Sequence, residues 1–225
     1  MKRIGLIVVE NNGGSETDFR ALVPKDVGIF ATRMKKRPSI STYLHEPADL
    51  DLFKKELTEE AEKLKDLVNV IVYQRTYGTH KNSKIIYDVL SKFGKPFVIA
   101  ELSAIKLFNE MKINKIWIFT PYVFERTIEE VKFFEENGFE VTGYTYLNLA
   151  SDLEYSNVTW EEIYNAIIKN NIKADALYIH CTDLTTYEVI PKLKEKLKIP
   201  ILSENSASLI LALRAINENI DSIIL

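Results

Sequence analysis

The only cysteine of the 225-residue chain, Cys181, is the first candidate for a reactive side chain. It follows a short apolar run at 175–179 and precedes a helix that the capping-box spacing Thr185-x-x-Glu188 would open. A thiol beside a helix N-terminus is shifted towards the thiolate, so one interpretation is a reactive cysteine. The other is a buried, inert cysteine, because free thiols often behave as small hydrophobic side chains. The polar pair Thr182-Asp183 that follows favours a strand end over a position in the middle of the core.

The three histidines offer no recognisable metal motif. His180 precedes Cys181, but adjacent residues of a strand point to opposite faces, so His180 should pack or hydrogen-bond on the other face. Neither it nor His45 or His80 has a carboxylate or thiol at metal-ligand spacing. The sequence therefore predicts no metal. His80, in a polar segment after the run at 69–73, is interpreted as a solvated loop residue.

Uncharged hydrogen-bonding side chains come at or just after the ends of four predicted strands: Asn12, Thr76, Tyr122 and Thr182. The carboxyl ends of parallel strands meet in one crevice, so these groups would surround the thiol. Each of them could also be an ordinary cap or turn residue. The first loop contains Gly13-Gly14, whose backbone amides could hold an anion or form a plain tight turn.

The elements that must position these residues are short strands and amphipathic helices. Eight apolar runs are predicted strands: 4–9, 27–32, 69–73, 96–100, 115–119, 139–146, 175–179 and 199–202. Most are rich in β-branched or aromatic residues, and several are apolar on both faces, which is typical of buried parallel strands. Segments of helical period lie between them, one opened by Thr159-x-x-Glu162, and a last helix is predicted at about 206–219. The alternation predicts an α/β fold with parallel sheets.

The second half of the chain repeats the first. Segments 70–99 and 176–202 each contain a strand, a threonine, an amphipathic helix, a proline and a second strand, and Arg75 corresponds to Cys181. We therefore expect two pseudo-symmetric lobes, each a four-stranded parallel sheet flanked by helices. The N-terminal lobe would comprise 1–96 and 204–225, and the C-terminal lobe 97–203. Arg75 and Cys181 should face each other across the seam, which is the natural place for a ligand.

The amino-acid composition limits the kinds of partner that the protein can bind. Hydrophobic residues at 46% and charged residues at 27% are those of an ordinary globular protein. A net charge of −3 argues against a broad nucleic-acid surface. No run approaches the ~20 apolar residues of a membrane span, and the apolar stretch after Met1 is too short for a signal peptide. With a single cysteine, which suits a reducing compartment, these features predict a cytoplasmic protein.

Six segments carry a family resemblance: IGLIVVENN at 4–12, Thr32-Arg33-Met34, VIVYQRTYGT at 70–79, TPY at 120–122, ALYIHCTDL at 176–184 and PILSENSA at 200–207. In their order and spacing they resemble the Asp/Glu racemase superfamily, in particular the branch that holds maleate cis–trans isomerase and arylmalonate decarboxylase. The resemblance implies two four-stranded α/β lobes with the active site between them.

The resemblance also bears on the reaction. Racemases and maleate isomerases of this superfamily use two cysteines; the second matches Cys181, but Arg75 stands in place of the first. A guanidinium cannot serve as an ordinary base, so both reactions are disfavoured. Arylmalonate decarboxylase works with the second cysteine alone. Its substrate loses CO₂ without the help of a cofactor and becomes an enediolate, which the cysteine thiol then protonates.

Carried over to this chain, the resemblance makes Cys181 the proton donor. Hydrogen bonds to the enediolate would come from the hydroxyls of Thr76 and Tyr122 and from the backbone at Tyr77 and Thr182. The resemblance also makes Asn12 a carboxylate ligand, as in the isomerases, and Arg75 could pin a carboxylate through a bidentate pair.

The sequence thus favours a cofactor-independent lyase that decarboxylates small substituted malonates. Two alternatives stay open. One is a maleate-isomerase-like or racemase-like enzyme in which Arg75 replaces the first thiol. The other is a carboxylate-binding protein that has kept the fold without catalysis. The resemblance also leaves homo-oligomerisation open.

Overall fold

Strands and helices alternate along the whole chain. A computed structural model describes residues 1–41 and 43–218. The first half contains β1 (Lys2–Val9), α1 (Gly14–Leu22), β2 (Val27–Met34), α2 (Leu50–Leu64), β3 (Val70–Tyr73), α3 (Thr79–Leu90), β4 (Phe97–Ile99) and α4 (Ala100–Glu110). A short 3₁₀ turn, Ser91–Phe93, follows α3.

The second half has the same alternation. It contains β5 (Lys115–Tyr122), α5 (Phe124–Glu136), β6 (Glu140–Leu149), α6 (Asp152–Ser156), α7 (Trp160–Ile168), β7 (Ala176–Ile179), α8 (Val189–Leu197), β8 (Ile201–Ser203) and α9 (Glu204–Ala215). All eight predicted strands are present in the described part of the chain, with ends shifted by at most three residues. The β-branched runs buried on both faces account for this agreement.

Two parallel four-stranded sheets form the framework. Their strand orders are β2-β1-β3-β4 and β6-β5-β7-β8, so the second sheet repeats the order of the first. In the first sheet Ile4 pairs with Ile29 on one side and with Val70 on the other. The predicted α/β class and the pair of four-stranded lobes are confirmed. Within this repeat, β3 and β7 are equivalent strands, which fixes where the residues that follow them lie.

The division between the lobes differs from the prediction at one end. β4 hydrogen-bonds to β3 and completes the N-terminal sheet, so the predicted boundary at residue 97 lies three residues too early for this strand. α9 packs against α1, α4, β3 and β4, and it also contacts β8. Residues 219–225, which were assigned to the N-terminal lobe, lie outside the described part of the chain.

The two lobes share one hydrophobic core. A single cluster of buried side chains contains Leu6 and Val8 of β1, Ile118 of β5 and Tyr178 of β7. Each lobe has a second cluster on the outer face of its sheet. Because the shared cluster is apolar and closely packed, it holds the carboxyl ends of both sheets next to each other.

Helix starts agree with the sequence only in part. Thr159 caps α7 through the predicted box with Glu162. The box predicted at Thr185 is wrong: α8 begins at Val189, because Asp18 accepts hydrogen bonds from the backbone and hydroxyl of Thr186 and holds that segment in a turn. The last helix begins at Glu204, earlier than predicted, and ends at Ala215. Among the described helices, none combines the length and apolar composition that a membrane span requires.

Candidate active site between the lobes

A small cavity of about 70 Å³ lies where the carboxyl ends of the two sheets meet. Six of the seven predicted site residues line it: Arg75, Thr76, Tyr77, Tyr122, Cys181 and Thr182. The structure therefore brings most of the predicted residues together in one cavity, although nothing in the sequence indicated how small that cavity is. The cavity also has lining residues that the sequence did not single out, among them His45, Arg126, Tyr155 and Asp183.

Cys181 lies two residues beyond β7 and is 3% exposed. Its φ of 108° is in a region that non-glycine residues rarely adopt, which marks a backbone held in place by its surroundings. One such restraint is visible, since the Cys181 amide donates to Glu204 Oε2 at 3.0 Å. The sulfur is hydrogen-bonded to the Tyr122 hydroxyl and to the Asp183 backbone. These contacts fix the thiol at the edge of the cavity.

The thiol is neutral at ordinary pH. Burial raises the pKa of Cys181 well above its usual value, and the nearby Asp183 carboxyl adds to the shift. The hydrogen bond from Tyr122 opposes the shift without reversing it. The expected effect of a helix N-terminus is absent because α8 begins only at Val189. A neutral thiol can donate a proton, whereas a nucleophile must be ionised.

Arg75 occupies the equivalent position in the first lobe, two residues beyond β3. It is 5% exposed, and its guanidinium carbon lies 5.0 Å from the centre of the Tyr77 ring. Its Nη1 is buried and has no hydrogen-bond partner within the described residues. A buried guanidinium nitrogen without an acceptor is costly, so this side chain is prepared to bind an anion.

A second guanidinium, that of Arg126 on α5, also lines the cavity and was missed by the sequence analysis. It lies 3.6 Å from the centre of the Tyr122 ring, and its Nη2 donates to Thr76 Oγ1 at 3.4 Å. Its Nη1 contacts His45 Nε2. Burial and the positive charge of Arg126 lower the pKa of His45 well below its usual value, so His45 is neutral and accepts from the arginine. Arg126 thus adds a second fixed positive charge.

The remaining predicted residues surround the thiol in two layers. Tyr77 is anchored by its hydroxyl, which donates to the Pro38 carbonyl at 2.9 Å. Thr182 lines the cavity, but Asn12 lies behind it: the Asn12 amide donates to Thr182 Oγ1 at 3.3 Å, and its Oδ1 accepts from the Ser15 backbone. Asn12 therefore orients Thr182 from behind the cavity wall, and its role as a carboxylate ligand stays a prediction.

The cavity is positively charged overall. Lys36 and Asp152, which both line it, form an ion pair at 2.7 Å and cancel each other. Burial raises the pKa of Asp183 to about 7, with a further contribution from Asp152. Asp183 is therefore largely protonated in mildly acidic solution, while Arg75 and Arg126 remain charged. The third guanidinium that lines the cavity, that of Arg37, is paired with Glu56, so Arg75 and Arg126 are the two that suit a ligand with two carboxylates.

A larger cavity of about 240 Å³ adjoins the first. Arg37, Arg75 and Tyr77 line both cavities and form the wall between them. The far cavity presents mainly hydrocarbon surface, from Met34, Pro38, Ala48, Leu52 and Phe53, with Lys35, Asp49 and Glu56 also at its border. The wall therefore separates a charged chamber from an apolar one.

The structure agrees with the prediction for His180 and disagrees with the prediction for His80. His180 is completely buried and hydrogen-bonded, as predicted, with its Nε2 beside Glu101 and Glu130. The prediction that His80 is a solvated loop residue is wrong: it lies in the first turn of α3, with its ring stacked 4.1 Å from that of Phe133. Its Nε2 also contacts Glu101 and Glu130. Burial alone would lower the pKa values of both histidines, but the carboxylates outweigh it and raise them to about 11 for His80 and about 10 for His180.

Comparison with solved structures shows the same fold in two kinds of enzyme. A variant of maleate isomerase from Pseudomonas putida S16, solved with maleate, is 18% identical with a TM-score of 0.81, over 96% of this chain and 92% of that one. A maleate cis–trans isomerase variant from Nocardia farcinica, with a covalently bound succinylcysteine intermediate, is 20% identical with a TM-score of 0.79, over 96% and 93%. Unliganded arylmalonate decarboxylase is 16% identical with a TM-score of 0.81, over 98% and 94%.

At these identities the structural likeness establishes the fold and does not choose between the two reactions. No curated protein sequence matches the chain significantly. The family model described as arylmalonate decarboxylase matches residues 73–222, a segment that includes Arg75, Tyr122, Arg126 and Cys181. With two thirds of its length matched and the predicted duplicated fold present, this chain belongs to the arylmalonate decarboxylase family.

Proposed function

We propose that the protein is a cofactor-independent decarboxylase of small substituted malonates. The observation that carries the proposal is the pairing, in one cavity, of the Cys181 thiol with a buried Arg75 guanidinium whose Nη1 has no protein acceptor. The first group can deliver a proton and the second can hold a carboxylate. The family match and the two enzymes with the same fold support an enzymatic role.

The proposed reaction begins with a dianionic malonate bound between Arg75 and Arg126. The bond from the central carbon to one carboxylate breaks, CO₂ leaves, and the electron pair passes into the remaining carboxylate to give an enediolate. Hydrogen bonds from Thr76 and Tyr122 would stabilise its oxygens as charge develops, and such preorganised donors are worth about 3–4 kcal/mol each. The cavity is lined by both residues, so this role needs no large rearrangement.

Cys181 then transfers its proton to the central carbon, which yields the monocarboxylate product and a thiolate. A proton from solvent restores the thiol, so the net reaction consumes one proton and releases one CO₂. The Asp183 backbone, which bonds the sulfur, would stabilise the transient thiolate, and the single Tyr122 hydroxyl hydrogen would return to the sulfur once the enediolate has been protonated. A reaction that needs a second base on the opposite face of the carbon is not supported, because Arg75 holds that position and stays protonated.

The cavity dimensions guide the choice of substrate. A chamber of about 70 Å³ has room for the malonate head group, so an aryl substituent would have to lie in the more open, polar space beside it, which Lys36, His45, Arg126 and Asp152 border, or displace Arg75 or Tyr77. Small alkyl malonates therefore suit the site better than aryl malonates. Methylmalonate and phenylmalonate are the two substrates that separate these cases.

The test is CO₂ release from methylmalonate and from phenylmalonate by the purified protein, with product deuteration measured in D₂O. We expect methylmalonate to be the better substrate and expect Cys181→Ala to lose turnover by at least about 100-fold, in line with the loss of a positioned proton donor. Cys181→Ala should still bind malonate in calorimetry, since the arginines remain. Equal turnover by the variant would refute the role of the thiol, and tight malonate binding with no turnover by the natural protein would favour a binding function.

A further inference from the structure

Glu204 is a buried acidic residue that the proposed reaction does not use. It is the first residue of α9, follows β8 directly and is completely buried. β8 pairs in parallel with β7, and its last residue, Ser203, lies opposite Ile179. The residue that follows β8 is therefore brought beside the residues that follow β7, of which Cys181 is the second.

The carboxyl group of Glu204 holds the backbone of Cys181. Its Oε2 accepts a hydrogen bond from the Cys181 amide at 3.0 Å. The φ of Cys181 is 108°, which a residue with a side chain keeps only where its surroundings enforce it. The same residue presents its thiol to the cavity between the lobes. An acceptor that fixes this amide therefore also fixes the position of the sulfur.

The other oxygen of the same carboxyl group is left without a partner. Glu204 Oε1 is buried and has no hydrogen bond to any described residue. In the described part of the chain the Glu204 carboxyl also forms no ion pair, because the nearby His180 is paired with Glu101 and Glu130. A buried carboxylate with neither a cation nor a full set of donors is costly, and such a group keeps its proton instead. The geometry therefore favours a neutral carboxyl at Glu204.

The charges beside Glu204 are already balanced. The Nε2 atoms of His80 and His180 lie 2.8–3.2 Å from the facing oxygens of Glu101 and Glu130. Burial lowers the pKa values of both imidazoles, but the carboxylates outweigh it, so the four groups form a network of two positive and two negative charges. An ionised Glu204 would add a negative charge that this network does not neutralise.

The carboxyl group of Glu204 loses its proton only in mildly alkaline solution. Burial raises its pKa to about 8; His180 and the Cys181 amide oppose the shift, while Glu101 and Glu130 add to it. As the pH rises through this value, a negative charge appears at the group that holds Cys181. The ionisable side chains that interact with Glu204 belong to α4, α5, β5, β7 and the residues just after β7: Glu101, Glu130, Tyr122, Tyr178, His180 and Cys181.

A negative charge at Glu204 opposes ionisation of the thiol. Burial and the Asp183 carboxyl hold the pKa of Cys181 well above its usual value, and the charge of Glu204 acts in the same direction. In the proposed reaction Cys181 becomes a thiolate when it gives its proton to the central carbon. A neutral Glu204 adds no repulsion to this thiolate, whereas an ionised Glu204 destabilises it. The neutral form of Glu204 is therefore the one that suits proton transfer.

We propose that Glu204 is a positioning residue for Cys181: its neutral carboxyl holds the Cys181 amide and so the thiol, and its ionised form suppresses proton transfer from the thiol. Only the effect on turnover rests on the proposed function, since the contact and its effect on the thiol are properties of the folded chain. Two variants separate the two roles. Glu204→Gln keeps a neutral acceptor of the same shape, and Glu204→Leu removes the acceptor.

The first experiment observes the hydrogen bond itself. Because Cys181 is the only cysteine, full-length protein labelled with ¹⁵N-cysteine gives a single amide signal in an NMR spectrum. Its proton shift should move downfield as the pH rises, with a midpoint near about 8, because an ionised acceptor strengthens the hydrogen bond. This step should be absent from Glu204→Gln and present in the control Glu188→Gln, which changes an exposed carboxylate.

The natural protein alone can refute the contact. Absence of the step near pH 8 would overturn the proposal, and so would the same step in Glu204→Gln. A separate step of Asp183, whose pKa burial raises to about 7, is expected in every protein and is distinguished by its midpoint.

The second experiment measures the reactivity of the thiol. The rate of alkylation by iodoacetamide reports the thiolate of Cys181 alone, because the chain has no other cysteine. Glu204→Gln should react about 3- to 10-fold faster than the natural protein at about pH 9 and at the same rate at about pH 6.5, since only at the higher pH is the natural carboxyl charged. Equal rates at both pH values would contradict the electrostatic role. Circular dichroism shows whether each variant has folded.

Turnover of methylmalonate separates this inference from the proposed function. The kcat of the natural protein should fall as the pH rises beyond about 8, and Glu204→Gln should lack that fall with an unchanged KM, because Glu204 does not line the cavity. Folded Glu204→Leu should lose kcat by about 10-fold at every pH, as expected for a misplaced proton donor. The same fall in Glu204→Gln would refute the role in proton transfer. If no protein turns over while the NMR and alkylation results hold, the proposed function fails and the positioning of the thiol stands.

Discussion

Arg75 and Cys181 occupy equivalent positions in the two halves of the molecule, each two residues beyond the corresponding strand, β3 or β7. Both are at least 95% buried, and both line the same small cavity. The duplicated fold therefore presents a positively charged guanidinium and a proton-donating thiol to a single ligand. A two-cysteine enzyme of this superfamily would present two thiols instead. This asymmetry is the basis for assigning carboxylate binding to the position of Arg75 and proton transfer to the equivalent position of Cys181.

Replacing Arg75 with alanine should weaken binding of malonate by about 10- to 100-fold, because a hydrogen bond to a charged group contributes about 1.5–3 kcal/mol. The same change removes part of the wall between the two cavities, so affinity for phenylmalonate should fall less than affinity for malonate. Calorimetry with both ligands measures this difference. Lys84→Ala, which removes an exposed lysine of α3, is the control and should bind like the natural protein. Unchanged malonate affinity in Arg75→Ala would rule out the carboxylate-binding role.

Malonate affinity should decrease as the pH rises from about 6 to about 8. The cause is Asp183, whose pKa burial raises to about 7, with Asp152 adding to the shift and with Arg126, Arg75 and Lys36 opposing it. Above that pKa the carboxylate places a negative charge in the anion cavity, which at a separation of a few ångströms costs about 1–3 kcal/mol of ligand binding.

Asp183→Asn should remove this pH dependence and keep the affinity seen in mildly acidic solution. The variant should also change stability. Folding favours the neutral carboxyl, so the contribution of Asp183 to the free energy of unfolding falls as the pH rises from about 4 to about 7, and the asparagine variant should lack that contribution. Malonate titrations and urea denaturation at several pH values test both statements. A natural protein whose affinity rises with pH would contradict them.

The sequence was sufficient for the framework and for most of the cavity. Strands such as 4–9 and 115–119 are local runs of β-branched and aromatic residues, and the residues that follow parallel strands must meet at one edge of the sheet. That topological rule placed Arg75, Thr76, Cys181 and Thr182 correctly. It did not show that Asn12 would turn its amide to Thr182, since that depends on the detailed packing of two loops.

The sequence could not reveal the contacts between residues that only the tertiary structure brings together. Arg126 and Glu130 are four residues apart in a charged helix and look like an ordinary surface pair, yet both are at least 96% buried where α5 meets the other lobe. His80 likewise lies in a polar segment, and its partners Glu101 and Glu130 are 21 and 50 positions away. Spacing rules apply to single motifs, so they could not detect a cluster whose members come from four separate elements.

Asp18 should be essential for joining the lobes. Its buried carboxylate accepts from the Thr186 backbone and hydroxyl, from the Tyr187 backbone and from the Asn205 amide. Asp18→Ala leaves these donors without an acceptor, so we expect a loss of about 3–5 kcal/mol in the free energy of unfolding. Urea denaturation measures it, and Asp26→Ala, at an exposed aspartate, should change stability by less than about 0.5 kcal/mol. Similar stabilities of the two variants would refute a structural role for Asp18.

The two adjacent glycines after β1 should respond very differently to alanine. A Cβ at Gly14 would overlap the backbone carbonyl of Asp183, whereas a Cβ at Gly13 would have no heavy atom within 4 Å. The pair predicted from sequence as an anion cradle or a tight turn is thus a point of close backbone approach between α1 and the segment that carries Cys181.

Gly14→Ala should therefore cost about 2–3 kcal/mol of stability, because relieving the overlap requires backbone on one side to move. Gly13→Ala should cost less than about 1 kcal/mol, mainly through the poorer helix cap. Displacement of Asp183 would also disturb the thiol, so Gly14→Ala should bind malonate more weakly even in the folded fraction, which calorimetry well below the unfolding temperature can measure. If Gly14→Ala matched Gly13→Ala in both stability and malonate affinity, the contact between α1 and Asp183 would not be what holds Cys181 in place.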